Sequence, residues 1–128
     1  MDQEILVKDL RKLYRELDRQ YGPVALMMLL APDAFLEEAW DLIISARGFD
    51  QMTRGEAIRK ITELLSSIVD RKSWQKIIRA TVLKTDDPFV QEMNRSFEAD
   101  EAVLNLHAAY VSGVEIPKAI VLQSKAAA

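Results

Sequence analysis

The sequence predicts a single α+β domain in which helices pack on one face of a largely antiparallel sheet. Hydrophobic residues make up 49% and charged residues 29% of the 128 residues, which is typical of a globular domain with one core. Amphipathic helical stripes interleave with short, strongly apolar runs, and two pairs of these runs follow one another and favour hairpins. The predicted element order is α-β-β-α-β-α-β-β, with an all-α fold as the alternative.

The first part of the chain predicts a helix and then a buried strand. Asp2 can cap a helix with apolar residues at helical spacing, and Gly22 followed by Pro23 ends it. Eight apolar residues, "VALMMLLA", then lie between two prolines. Their number and the prolines favour a strand, although Leu and Met favour a helix. In the connection that follows, Asp33 can cap one helical turn.

The next run, "WDLIISA" from Trp40 to Ala46, predicts a second strand. The β-branched Ile43 and Ile44 favour a strand, although a helical stripe through Trp40 and Ile43 is a rival interpretation. On a strand, Asp41 and Ser45 share the face opposite Trp40 but lie about 13 Å apart. That separation is too large for the two side chains to act on one proton.

Two helices and a third strand are predicted in the middle of the chain. "TRGE" is a capping box with Thr53 at the N-cap and Glu56 three residues later, and it predicts a helix from Arg54 to Val69. Branched residues favour a strand in "WQKIIRATVLKT". Asp87 then caps another helix, whose first residue is Pro88.

The last third predicts a hairpin of two strands around Ser112-Gly113. Pro117 lacks an N–H group, which places the final strand near an edge or a bulge. The uncharged run "AIVLQ" is expected to be an exposed sheet edge. A helix from Asp100 to Ser112 is the rival interpretation. Ala126–Ala128 look like a cloning scar, so the predicted domain is 1–125.

Three stretches resemble a family of small prokaryotic proteins with which no activity is associated. They are "WDLIISA", "DDPFVQ" and "GVEIPKAIVLQS", in that order along the chain. The resemblance implies the strand interpretation at the ends of all three stretches and implies no activity. The chain departs from the pattern after Ala46, where it has "SARGFD" in place of a stretch like "SAP-W-L".

Composition excludes several classes of function. The chain has no cysteine, so disulfides, thiol nucleophiles and thiolate zinc sites are excluded. His107 is the single histidine, which excludes a metal site of several histidines. No phosphate-binding glycine motif is present, and no apolar run is long enough to span a bilayer. We therefore predict no cofactor, no metal and no membrane partner, and a cytoplasmic location.

The loop after Ala46 is the candidate ligand site. Arg47, Asp50 and Arg54 lie in or beside this loop, just before the helix that Thr53 caps. Two guanidinium groups near a helix N-terminus can hold an anion. A small anion-binding domain or enzyme using this loop is therefore the alternative function.

A second candidate is a nucleic-acid surface around Trp74. Basic side chains there can pair with phosphates while the indole stacks on a base; the set is Arg71, Lys72, Trp74, Lys76 and Arg79. A solvated helix end explains the same residues more simply. The net charge of −3 gives no general attraction to nucleic acids, which argues against such a partner.

The leading hypothesis is a small bacterial protein that is not an enzyme. It would act as a non-catalytic interaction or regulatory module and form a homodimer through a sheet edge, with another protein as a further possible partner. The hypothesis combines a complete core, the unprotected edge and the lack of any cluster of reactive side chains in the sequence.

Overall fold

A computed structural model describes residues 2–31 and 39–127 of the chain. The helices are α1 (Asp2–Tyr21), α2 (Arg54–Ile68), α3 (Arg71–Trp74) and α4 (Pro88–Ser96), with a 3₁₀ turn at Arg47–Phe49. The strands are β1 (Val24–Ala31), β2 (Trp40–Ala46), β3 (Ile77–Val82), β4 (Leu104–Val111) and β5 (Val114–Ser124). The turn predicted at Asp33 lies outside the described residues.

The five strands form one mixed sheet in the order β3-β2-β1-β5-β4. Only β2 and β3 run parallel, and the other three pairings are antiparallel. The predicted α+β class is confirmed, and the predicted element order matches apart from the short helix α3, which was not predicted. The all-α alternative and the rival helix from Asp100 to Ser112 are wrong, because that segment forms β4 and the turn after it.

Helices cover both faces of the sheet. The prediction of helices on one face is right for α1 and α2, which share a face, and wrong for α4. The leucines and isoleucines of α1 and α2, such as Leu10 and Ile61, pack with Leu42 of β2 in the first core. Helix α4 lies on the opposite face, where Val90 and Met93 pack with the second core. Alternation explains this arrangement, since an apolar central strand presents buried residues to both faces.

Local signals fix the starts of α2 and α4 as predicted. The Thr53 side chain accepts a hydrogen bond from the Glu56 backbone N–H at 3.2 Å, and Asp87 accepts one from Phe89 N–H at 2.8 Å. The hairpin turn between β4 and β5 has positive φ at both Ser112 (50°) and Gly113 (79°). Such a turn matches the right-handed twist of a two-residue hairpin.

The prediction that "AIVLQ" forms a sheet edge is wrong. This run lies in β5, which pairs with β1 on one side and β4 on the other, and its residues are buried. Among the described residues, the strands with a single neighbour are β3 and β4. Strand order depends on contacts distant in sequence, so an uncharged run alone does not distinguish an edge strand from a central one.

The β4–β5 ladder lacks one pair, where Pro117 faces Ala108. The register pairs His107 with Lys118 and Ala109 with Ile116, and the ladder is interrupted between these pairs. Ala108 has a φ of 52°, and Pro117 has no N–H group to donate. Pro117 also lies just beyond the end of β1, whose last partner is Lys118. The predicted placement of Pro117 near a sheet edge is wrong, because β5 is a central strand; Pro117 lies instead where one pair of the β4–β5 ladder is missing.

None of the described helices is both long and apolar enough to cross a membrane.

Candidate functional site

The loop after β2 is fastened by hydrogen bonds from two of the predicted ligand-binding residues. Asp50 accepts bonds from the backbone N–H of Thr85 at 2.9 Å and from its hydroxyl at 2.5 Å. Arg47, the first residue of the 3₁₀ turn, donates to the carbonyl of Ala127 at 2.5 Å. These contacts tie the loop to the β3–α4 connection and to the chain after β5.

Arg47 and Arg54 line different clefts. Arg54 lines a cleft of about 440 Å³ between the starts of α2 and α4, together with Lys84, Asp86 and Asp87. Arg47 lines a second cleft beside α4. The first cleft holds two basic and two acidic side chains, so their charges cancel. Anion binding by Arg47, Asp50 and Arg54 stays a prediction, and the structure does not bring the three around one cavity.

Asp41 is the centre of a polar cluster on the face of the sheet that α4 covers. The parallel pairing of β2 and β3 sets Arg79 beside Asp41. Arg79 donates to Asp41 Oδ2 from Nη2 at 2.8 Å and from Nε at 3.3 Å, and the Thr81 hydroxyl lies 2.9 Å from Oδ1. The hydrogen bond and the charge of Asp41 raise the pKa of the Arg79 guanidinium above its ordinary value.

This cluster is better suited to holding strands together than to proton transfer. Asp41 is only 3% exposed, and both of its oxygens have partners. The guanidinium of Arg79 compensates the buried charge of Asp41. Without such a partner, burying the carboxylate would be strongly destabilising. Because Asp41 is near the start of β2 and Arg47 follows its end, about 20 Å of strand separates them. Asp41, Arg47 and Asp50 therefore do not converge on one pocket.

Ser45 lies on the same face of β2 as Asp41 and carries an unpaired hydroxyl. Its Oγ is buried and has no hydrogen-bond partner within the described part of the chain. Ile43 separates Ser45 from Asp41 along this face and packs in the second core. The expectation that Asp41 and Ser45 do not act together agrees with the hydrogen bonds of Asp41, whose partners are Arg79 and Thr81 and not Ser45.

The residues of the proposed nucleic-acid surface are divided between α3 and β3. The hydroxyl of Ser73 donates to Asp9 at 2.6 Å and so holds α3 against α1. Arg71 and Lys72 are exposed on α3, and Trp74 at its end is 38% exposed. Lys76 is half-buried in the connection, and Arg79 is bonded to Asp41 on the sheet. Nucleic-acid binding here stays a prediction.

The β4 edge has a character that the sequence analysis missed. Its eight residues, "LNLHAAYV", contain no Asp, Glu, Lys or Arg in a chain with 29% charged residues. Leu106 and Val111 are buried in the second core. Asn105, His107 and Tyr110 are exposed, and Tyr110 is 68% exposed. The lack of charge alone could not have identified the edge from the sequence, because the eight residues of the central strand β1 are also uncharged.

Further apolar surface flanks β4. Val103, just before the strand, and Val114, just after the turn, are both exposed. Val103 also lines a groove with the N-terminal part of α1, including Val7 and Arg11. The exposed face of β4 is therefore continuous with apolar surface at both of its ends.

In the described part of the chain, no three histidine or acidic side chains gather in a way that could hold a metal ion. Comparisons with family models, curated proteins and solved structures find no match to this chain.

Proposed function

We propose that this chain is a non-catalytic interaction module that forms a homodimer through the free edge of β4. The observation that carries the proposal is the edge itself. It is eight residues long, without formal charge at neutral pH, and it displays an exposed tyrosine. Unpaired backbone N–H and C=O groups along such an edge are a template for a further strand.

β4 is a better candidate than the opposite edge, β3. An arginine lies within β3, and Lys76 and Lys84 lie close to its ends. Its pairing with β2 is also irregular near Ile78, where Trp40 pairs with Ile77 and Asp41 with Arg79. Charges and irregular pairing are the features that commonly prevent strands from adding to an edge.

The side chains around β4 supply the apolar area that edge pairing alone lacks. Among the described large apolar side chains Tyr110 is the most exposed, and Val103 and Val114 extend the surface on either side. Covering one such tyrosine is worth roughly 2 kcal/mol. Tyrosine also suits an interface because its ring is apolar while its hydroxyl can stay hydrated.

Light scattering on matched variants tests the proposal. We expect the wild-type chain to be dimeric at about 300 μM and to dissociate on dilution. Tyr110→Asp should weaken the dimer at least tenfold. Ile78→Asp is the control, because Ile78 is a comparably exposed (59%) apolar residue on β3, the other edge. A wild-type monomer at the higher concentration, or equal weakening by both variants, contradicts the proposal.

A further inference from the structure

We infer that the two copies pair β4 to β4 in antiparallel fashion about a two-fold axis between His107 and Ala108, and that protonation of the two adjacent His107 side chains weakens the pair. This inference rests on the homodimer proposed above. It adds the register of the β4–β4 pairing and the dependence of that pairing on pH.

The pattern of β4 is complementary to itself in this register. Leu104 would face Val111 of the partner subunit, and Leu106 would face Ala109 of the partner subunit. All four of these positions are directed towards the second core, or pack against it, within their own subunit. Asn105 would face Tyr110 of the partner subunit, and both positions are exposed. Apolar residues thus meet apolar residues on one face and exposed residues meet on the other.

The irregular residue at the centre of β4 makes this match possible. In a regular strand, neighbouring residues point to opposite faces. If such a strand paired with its copy about a two-fold axis that is perpendicular to the sheet and passes between two residues, each inward-facing side chain would therefore lie opposite an outward-facing side chain of the partner subunit. Ala108, with its φ of 52°, breaks the alternation, so Leu106 and Ala109 both face the second core. The break and the axis fall at the same place.

The axis brings the two His107 residues together. With His107 facing Ala108 of the partner subunit, strand spacing places the two His107 Cα atoms about 6 Å apart. Histidine is the side chain that ordinarily gains its charge between about pH 8 and 5. Two positive imidazolium groups at that separation repel one another, and no acidic residue lies within β4 to compensate them.

The residue that pairs with His107 across the β4–β5 ladder is itself positive. Lys118 of β5 faces His107 in the register, and its ammonium group lies 5.5 Å from the centre of the Trp40 ring. Glu115 of β5 faces Tyr110, towards the hairpin turn. On α1, the charged residues of the groove beside Val103 are Glu4, Lys8 and Arg11. With Lys118 the nearest of these charges along the ladder, acidification adds positive charge to an already positive position.

Single cysteines test the register directly, because the chain has none of its own. His107→Cys should form an intersubunit disulfide readily, since the expected Cα separation of about 6 Å suits that bond. Asn105→Cys alone and Tyr110→Cys alone should not, because each would lie about 17 Å from its own copy. Mixing these two variants should give a cross-linked heterodimer. The register is overturned if Asn105→Cys or Tyr110→Cys cross-links by itself, or if His107→Cys forms no intersubunit disulfide.

The pH dependence is tested on the dissociation constant of the dimer. From pH 7.5 to 5.5 we expect wild-type dissociation to become at least about tenfold easier, while His107→Gln should change little. A wild-type dimer that is insensitive to pH, or equal sensitivity in His107→Gln, overturns the inference and leaves the homodimer standing. A monomer at both pH values overturns both.

Discussion

Replacing Ser45 with alanine should stabilise the protein, although a fully buried residue is being truncated. The Ser45 hydroxyl has no hydrogen-bond partner among the described residues. A buried polar group left unpaired costs about 1–3 kcal/mol. Removing one oxygen forfeits a few dispersion contacts at about 0.1–0.2 kcal/mol each. The net expectation is a gain of about 1 kcal/mol in the free energy of unfolding.

A matched control is available at Ser124. Both serines are 0% exposed and lie in strands, but the Ser124 hydroxyl accepts a hydrogen bond from Asn94 Nδ2 at 3.2 Å. Ser124→Ala removes that bond and should destabilise the protein by about 1 kcal/mol. The two substitutions are chemically identical, so opposite signs would isolate the effect of the hydrogen bond.

Thermal and denaturant unfolding measure both variants. A gain of about 1 kcal/mol corresponds to a rise in melting temperature of roughly 3–5 °C for a chain of this length. The reasoning is refuted if Ser45→Ala lowers the free energy of unfolding by as much as Ser124→Ala does. That result would mean that the Ser45 hydroxyl is bonded in solution.

Three further outcomes are expected. Asp50→Ala removes both bonds to Thr85 and should lower the free energy of unfolding by about 1–3 kcal/mol in urea titrations; an unchanged midpoint would contradict this role of Asp50. Burial, with the nearby charges of Asp18, Glu101 and Asp100, raises the pKa of Tyr14 to about 12. Tyr14 therefore contributes its full stabilisation below pH 10, and that contribution is lost as the pH rises towards 12. Tyr14→Phe should flatten the fall in stability over that range, and equal slopes for both proteins would refute the assignment. Arg54 and Lys84 share their cleft with the acidic Asp86 and Asp87. Inorganic phosphate at about 10 mM should therefore leave the melting temperatures of the wild type and of Arg54→Ala unchanged. A rise in the melting temperature of the wild type alone would support the anion site.

Local chemistry made much of the fold predictable from the sequence. Thr53 and Asp87 mark helix starts because their side chains satisfy backbone N–H groups only a few residues away. The extent of β2, Trp40–Ala46, follows from branched residues and an abrupt polar end. In these cases the interactions that define the element are contained in a short segment, so the segment alone is informative.

Features that depend on long-range pairing could not be predicted. Arg79 reaches Asp41 only because β3 runs parallel to β2, and the two residues are 38 positions apart. The sequence assigned Arg79 to a nucleic-acid surface because its basic neighbours were visible and its carboxylate partner was not. The edge was assigned to β5 instead of β4 for the same reason, since apolar runs do not record the order of strands.

The most direct test of the proposed homodimer is the concentration dependence of amide hydrogen exchange. At about 300 μM, the outward amides of β4 should exchange more slowly than at about 10 μM, because they bond to the second copy only in the dimer. The amides of β3, on the opposite edge, should exchange at the same rate at both concentrations. Slower exchange at β3 with no change at β4, or no change at either strand, would contradict pairing through β4.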